Sequence, residues 1–281
     1  MITSEITFHR PASLAEALDL LATHGDEAKL LGGGMSLVPT MTLGLARPEI
    51  LISLNHVPEL REIRHEGGAL RIGGMVRHAD IIASPLVAAH APLLAEAAGH
   101  IGDVQVRNRG TIGGSAAHAD PAADYLPTLV VLGAEVVVRS ARGERVIPAA
   151  AFFVDVMATD LRPDELVAEI RVPEQGGATG AYRRLARVEG SFAIVNAAAL
   201  VHPGGSASVA IGGVAATPVV VDAPAAVADG LSEAAIAAFD EAVRAACPDP
   251  FEDLNGDAEY RREMAVIHAR RALLAAAGRA G

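Results

Sequence analysis

The chain has one cysteine, no tryptophan, few other aromatics, no excess of basic charge and no long apolar run. Each shortage excludes something. A single thiol, Cys247, excludes an intrachain disulfide framework and an iron–sulfur cluster held by four thiolates of this chain. Lys and Arg total 23 against 34 Asp and Glu, and the net charge of −11 argues against a nucleic-acid partner, whose phosphates require a basic face. No stretch reaches the roughly 18 apolar residues of a membrane span. The opening segment MITSEITFHRP lacks a signal peptide's basic-then-apolar layout, so a cytoplasmic chain is expected. His56, His65, His78 and His100 show neither HExxH nor H-x₃-H spacing, and no metal is assigned.

What remains is a chain of 281 residues, 51% hydrophobic, sufficient for one large domain or two modest ones with a packed core. The stretch that organises it is Lys29–Leu37, KLLGGGMSL: an apolar approach, three consecutive glycines, then the hydroxyl of Ser36. Glycines in a row cost backbone entropy and add no packing, so they mark unusual dihedrals or close approach. Successive N–H groups converging at such a bend form a nest for an anion, commonly a phosphate. A second glycine pair, Thr111–Ser115 (TIGGS), has hydroxyls on both flanks and follows the polar run holding Gln105, Arg107, Asn108 and Arg109. The two loops suggest one diphosphate held from two sides. GxGxxG and GxxxxGK[ST] are both absent, which counts against a Rossmann fingerprint and a P-loop.

The flanking pattern is mixed α and β. Ile6–His9 alternates as a strand; Ser13 with Glu16 makes a capping box for a helix carrying Leu14, Ala17, Leu18 and Leu21. Lys29–Leu31 then reads as a buried strand of a βαβ-like unit that runs into the glycines. Glu49–Leu54 is a strand, Glu62–Gly73 a hairpin turning at Gly67-Gly68, and Asp80–Ser84 and Pro92–Gly99 are helical. Ala134–Arg139 is a strand, and Pro148–Phe153 and Leu166–Val172 close this part. Glu174–Gly180 is the best linker. Beyond it stand strand-like segments Phe192–His202 and Ser206–Val214 and two alanine-rich helices, Ser232–Ala246 and Asp257–Ala277. The expected division is 1–175, with subdomains of about 1–55 and 56–175, followed by 176–281.

KLLGGGMSLVPTMTLGLARPEILISLN and IGDVQVRNRGTIGGSAAHADPAADYLP resemble the FAD-binding medium subunit of the molybdenum hydroxylases, the xanthine dehydrogenase and carbon monoxide dehydrogenase family. The similarity continues through LVAEIRVP and YRRLARVEGSFAIVNAAA, so it covers nearly the whole chain. The resemblance implies an α+β fold. A two-subdomain FAD-binding domain of the vanillyl-alcohol-oxidase (PCMH) type precedes a small antiparallel sheet with helices. It implies FAD held by Lys29, Leu30, Gly32, Gly33, Gly34, Met35, Ser36 and Leu37 on one side and by Thr111, Ile112, Gly113, Gly114 and Ser115 on the other. Asp124 matches an aspartate that helps hold the cofactor; Ile101, Arg184 and Phe192 fall where side chains meet the flavin. Departures from the family pattern are Met35 for glutamine or histidine, Ser115 for asparagine, Arg184 for lysine and Ser191 for aspartate.

The resemblance further implies a heterotrimer, as a dimer of heterotrimers. A large molybdenum-cofactor subunit oxidises substrate, and a small subunit with two [2Fe–2S] clusters relays electrons. This chain passes them through FAD to NAD, a quinone or another acceptor, and no residue of it acts as a catalytic nucleophile or base. Other readings use the same residues. The loops could serve a nucleotide- or phosphate-binding module without redox chemistry, a structural subunit, or a standalone flavin oxidoreductase of the vanillyl-alcohol oxidase type. Asp124 could cap a helix, Phe192 could pack in a core, Arg107 and Arg109 could make structural or intersubunit ion pairs, and His118 could be a satisfied loop residue. Cys247 reads as a small apolar residue.

Overall fold

A computed structural model describes residues 5–278, so the first residues of MITSEITFHRP and of the expected first domain lie outside the described part. The chain begins with a three-stranded parallel sheet in which Ile50–Ser53 lies between Thr7–His9 and Ala28–Leu31. The expected βαβ unit is therefore opened, with the third strand inserted between the first two. Helix Leu14–His24 makes the first crossover and buries Leu14, Ala17 and Leu21. Ser13 accepts from Glu16 N at 3.2 Å, while the Glu16 carboxylate reaches back one residue further than a standard capping box, to Ala12 N at 2.7 Å. The glycine triplet leaves the carboxyl end of strand Ala28–Leu31, the end at which open parallel sheets bind ligands.

The next sheet is antiparallel and five-stranded, in the order Ile63–Glu66, Ala69–Gly73, Leu166–Pro173, Glu135–Ser140, Gly143–Pro148. Gly67 and Gly68, both with left-handed φ, turn its first hairpin as expected. Between Ala69–Gly73 and Glu135–Ser140 the chain runs through short helices, His78–Ala83, Pro85–His90, Pro92–Gly99, Val104–Arg107, Ile112–His118 and Tyr125–Val131, which cover one face. Ile72, Ile81, Leu94, Ile112, Leu126, Phe152 and Ile170 form the core between them, each fully buried.

A four-stranded antiparallel sheet follows, Thr179–Ala186, Ala193–Val201, Ala207–Gly212 and Val219–Asp222. Its first strand starts inside the expected linker and its last was not foreseen. Every residue of Ala193–Val201 is buried, because both faces of the strand are covered. Ala198 and Leu200 join the core of the five-stranded sheet's helices. Ala197, Ala199 and Val201 face a second core with Ala265, Ala269, Ala272 and Leu273 of helix Ala258–Gly278. Small side chains on both sides let helix and sheet approach closely. Helix Glu233–Ala246 is capped by Ser232, which accepts from Ala235 N at 3.3 Å, as expected.

Candidate functional site

The two glycine segments meet across one long cleft of about 740 Å³, within the usual range for a small-molecule or cofactor site. The first comes off its strand and enters helix Leu37–Thr42. Gly33 is buried against the second segment's approach: a Cβ there would lie 2.1 Å from the Arg109 carbonyl oxygen. Gly34 takes a left-handed φ of 76°, which favours glycine. Asn55 braces the turn from behind, its Nδ2 donating to Gly32 O at 3.1 Å, and Arg61 in turn donates to Asn55 O at 2.7 Å. Among the described residues, the amides of Gly33, Gly34, Met35 and Ser36 donate to no acceptor in the chain. Ser36 stands at the helix start with its hydroxyl outside any capping bond.

The second segment differs from its expected form. It is not a loop but the first turn of helix Ile112–His118, with Thr111 as the cap accepting from Gly114 N at 3.2 Å. Ile112 N donates to Val76 O and Gly113 N to Gly74 O, so these amides belong to the fold. Gly113 is obligatory for the contact, since its Cβ would come within 2.6 Å of Gly74 O. Gly114 is exposed on the cleft, and Ser115 is half-buried on it.

The cleft wall includes Lys29, Leu30, Gly32, Gly33, Gly34, Met35, Ser36, Leu37, Ile101, Thr111, Gly113, Gly114, Ser115, Asp124 and Phe192. Ile112 and Arg184 are set apart from it. Ile112 is wholly inside the core. Arg184 lies behind the wall, where it donates to His100 O and Ser191 O and meets Asp124 at 3.3 Å. It thereby ties the segment carrying Ile101 to the one carrying Phe192. Phe192 is 58% exposed just before its strand, which removes the core-packing reading.

Asp124 does not cap helix Tyr125–Val131. Its Oδ1 accepts from Tyr182 Oη at 2.5 Å. Burial raises its pKa above the ordinary carboxylate value, and the Arg184 charge and the Tyr182 hydrogen bond only partly oppose that. Arg107 donates to Ile101 O and Gly102 O and so braces the wall through backbone carbonyls rather than through an ion pair. His118 ends its helix, half-buried on the cleft. Cys247 is buried, its thiol pushed up to about 11, in keeping with an inert apolar role.

Residue-type motifs did not point to His78. It is buried beneath Gly110, accepts or donates at 3.2 Å with Tyr125 Oη, and reaches the cleft. Burial, helped by the Arg107 charge, holds it neutral down to about pH 4. Gly110 is the signal that could have found it: a Cβ there would meet His78 Nε2 at 2.5 Å.

Comparison with known proteins identifies the class. The family model for the FAD binding domain in molybdopterin dehydrogenase matches residues 4–175, and that for the CO dehydrogenase flavoprotein C-terminal domain matches residues 180–276. The chain belongs to this family and is an FAD-binding subunit of an oxidoreductase. Its relatives include the carbon monoxide dehydrogenase medium chain of Hydrogenophaga pseudoflava, 41% identical over 283 residues and 98% of each chain. The nicotine 6-hydroxylase medium subunit of Paenarthrobacter nicotinovorans is 37% identical over 280 residues, again 98% of each. A chain of the solved H. pseudoflava carbon monoxide dehydrogenase, in a form lacking the Mo-pyranopterin moiety, superposes with a TM-score of 0.91 at 42% identity, covering 100% of this chain and 99% of that one. Among the described residues no helix is long and apolar enough to cross a membrane.

Proposed function

We infer that this chain is the electron-transfer subunit of a three-subunit molybdenum hydroxylase. It takes electrons from a small [2Fe–2S] subunit, while a large molybdenum-cofactor subunit oxidises the substrate, and delivers them to an external acceptor. The observation that carries the reading is the row of open amides at Gly33–Ser36 facing a cleft of cofactor size. A row of N–H groups without acceptors along such a wall makes a nest for an anionic partner, and a diphosphate supplies several acceptor oxygens. Bound FAD supplies the electron chemistry.

The residues of this chain have the work of holding and orienting. Gly33, Gly34, Met35 and Ser36 offer amides and a hydroxyl to the diphosphate, and Gly114 and Ser115 approach it from the opposite wall. Ile101 and Phe192, fixed relative to one another by Arg184, offer apolar surface to the ring system. Asp124, kept in place by Tyr182 and Arg184, offers a carboxyl for a polar edge of the cofactor. Lys29, Leu30, Gly32, Leu37, Thr111 and Gly113 complete the cradle, and Ile112 anchors it in the core. We place the junction between the FAD-binding and C-terminal domains near residue 176, and the assembly as a cytoplasmic dimer of heterotrimers. Relatives named for carbon monoxide and for nicotine match this chain similarly well, which supports a flavin module common to complexes whose substrate is chosen in another subunit.

The test is an absorption spectrum of the purified chain after addition of FAD and desalting. Retained bands at roughly 370 and 450 nm, where flavins absorb, are expected. A colourless protein, even with partner subunits present, favours the phosphate-binding module without redox chemistry.

A further inference from the structure

Away from the cleft, three residues far apart in sequence converge. His65 lies in strand Ile63–Glu66, His90 ends helix Pro85–His90, and Glu174 follows strand Leu166–Pro173. Glu174 Oε1 is 2.5 Å from His65 Nε2 and 3.2 Å from His90 Nδ1. All three donor atoms lie within 4.8 Å of one another. The two imidazoles are stacked, with centroids 3.9 Å apart and planes 6° from parallel, and one nitrogen of each lies against the same carboxylate oxygen. None of the three lines the cleft.

We propose that His65, His90 and Glu174 form a binding site for a divalent transition metal of the zinc class, which fastens the segment joining the two domains. Imidazole and carboxylate together are zinc's ligand set, and three protein ligands with a fourth position open to water make a complete tetrahedron. Ligand atoms around such an ion stand about 3.3 Å apart, given bonds of about 2.0–2.2 Å. An ion binds in the plane of an imidazole, so binding requires one of the stacked rings to turn and the half-exposed Glu174 carboxylate to draw back. Two ligands sit on backbone held by a hairpin and a helix, and the third is fixed by Glu174 N donating to Gly68 O at 3.1 Å. Sequence spacing hid this site because its ligands come from three separate elements. Just past Glu174, Gln175 donates to Leu132 O at 3.1 Å and Gly176 and Gly177 adopt left-handed φ, so the ion would reinforce the root of the connector.

The experiment uses the full chain, free of any histidine tag and stripped with a chelator. It is titrated with Co²⁺ under visible absorption and with Zn²⁺ by calorimetry. One site per chain is expected, with Co²⁺ displaced by one equivalent of Zn²⁺ and the melting temperature raised by Zn²⁺. H65A and H90A each weaken Zn²⁺ binding by about tenfold or more, E174Q does the same, and H24A at the end of helix Leu14–His24 leaves it unchanged. Circular dichroism reports whether each variant is folded. X-ray absorption at the zinc edge on the unaltered chain shows two histidine nitrogens and needs no variant. The proposal is overturned by absence of any site tighter than about 100 µM, by an absorption edge without histidine ligands, or by H65A and H90A binding as the parent does.

Discussion

The two glycine segments of the cleft look alike in sequence and do different things. Gly32–Ser36 leaves four amides without acceptors and a hydroxyl outside any capping bond. Thr111–Ser115 commits its groups to the fold: Thr111 caps, Ile112 and Gly113 donate to strand-end carbonyls, and Ser115 N donates to Thr111 O. The glycines of the first segment serve backbone approach and dihedral freedom at Gly33 and Gly34, whereas Gly113 exists to let a helix start touch Gly74. A hydroxyl-flanked glycine run is thus two devices under one pattern. The first is an open anion nest, and the second is the wall that positions it.

The largest expected effect comes from Gly33→Ala, because this residue joins the two segments. Its Cβ would lie 2.1 Å from a backbone oxygen that has no free side chain to yield, at a cost of about 3 kcal/mol or more. Chemical denaturation and FAD retention should both fall. Gly33→Asp would act the same way first, since its Cβ points into the second segment and not into open cleft.

His78, under Gly110, gives the second segment a pH dependence. The unfolded chain binds a proton near pH 6.5 that the folded chain refuses until about 4, so stability is complete above 6.5 and declines as pH drops towards 4. The full decline is about 3 kcal/mol. Denaturant melts of the parent and His78→Gln across this range should show the slope reduced in the variant. A parallel slope in both would assign the decline to other groups.

Gly113→Ala should cost about 2 kcal/mol by pushing the helix start off Gly74. Thr111→Ala, which removes only the cap, should cost about 1 kcal/mol. Both changes should lower the melting temperature while leaving the amides of the first segment competent. FAD affinity per folded molecule should then change less than for Gly33→Ala.

Much of this was legible in the chain. GGGMS and TIGGS with their flanks located the cleft, the glycine pair located the hairpin at Gly67-Gly68, and the apolar run Phe192–His202 located the all-buried strand Ala193–Val201. What was not legible has physical causes. Helix Tyr125–Val131 is buried on nearly every side, so YLPTLVV carries no amphipathic period, and its Pro127 sits harmlessly in the first turn. Helix Ile112–His118 starts with two glycines, which propensity reads as loop. Asn55, His78 and Arg184 act through backbone oxygens or buried partners distant in sequence, and no local pattern reports such contacts.

The most direct test of the difference between the segments is amide hydrogen exchange with and without FAD. The expected result is marked slowing at Gly33–Ser36, whose amides are open in the free chain. Ile112 and Gly113, already bonded within the fold, should change little. Slowing confined to Ile112–Ser115, or none at Gly33–Ser36 in a chain that has bound FAD, would contradict the assignment of the first segment as the anion nest.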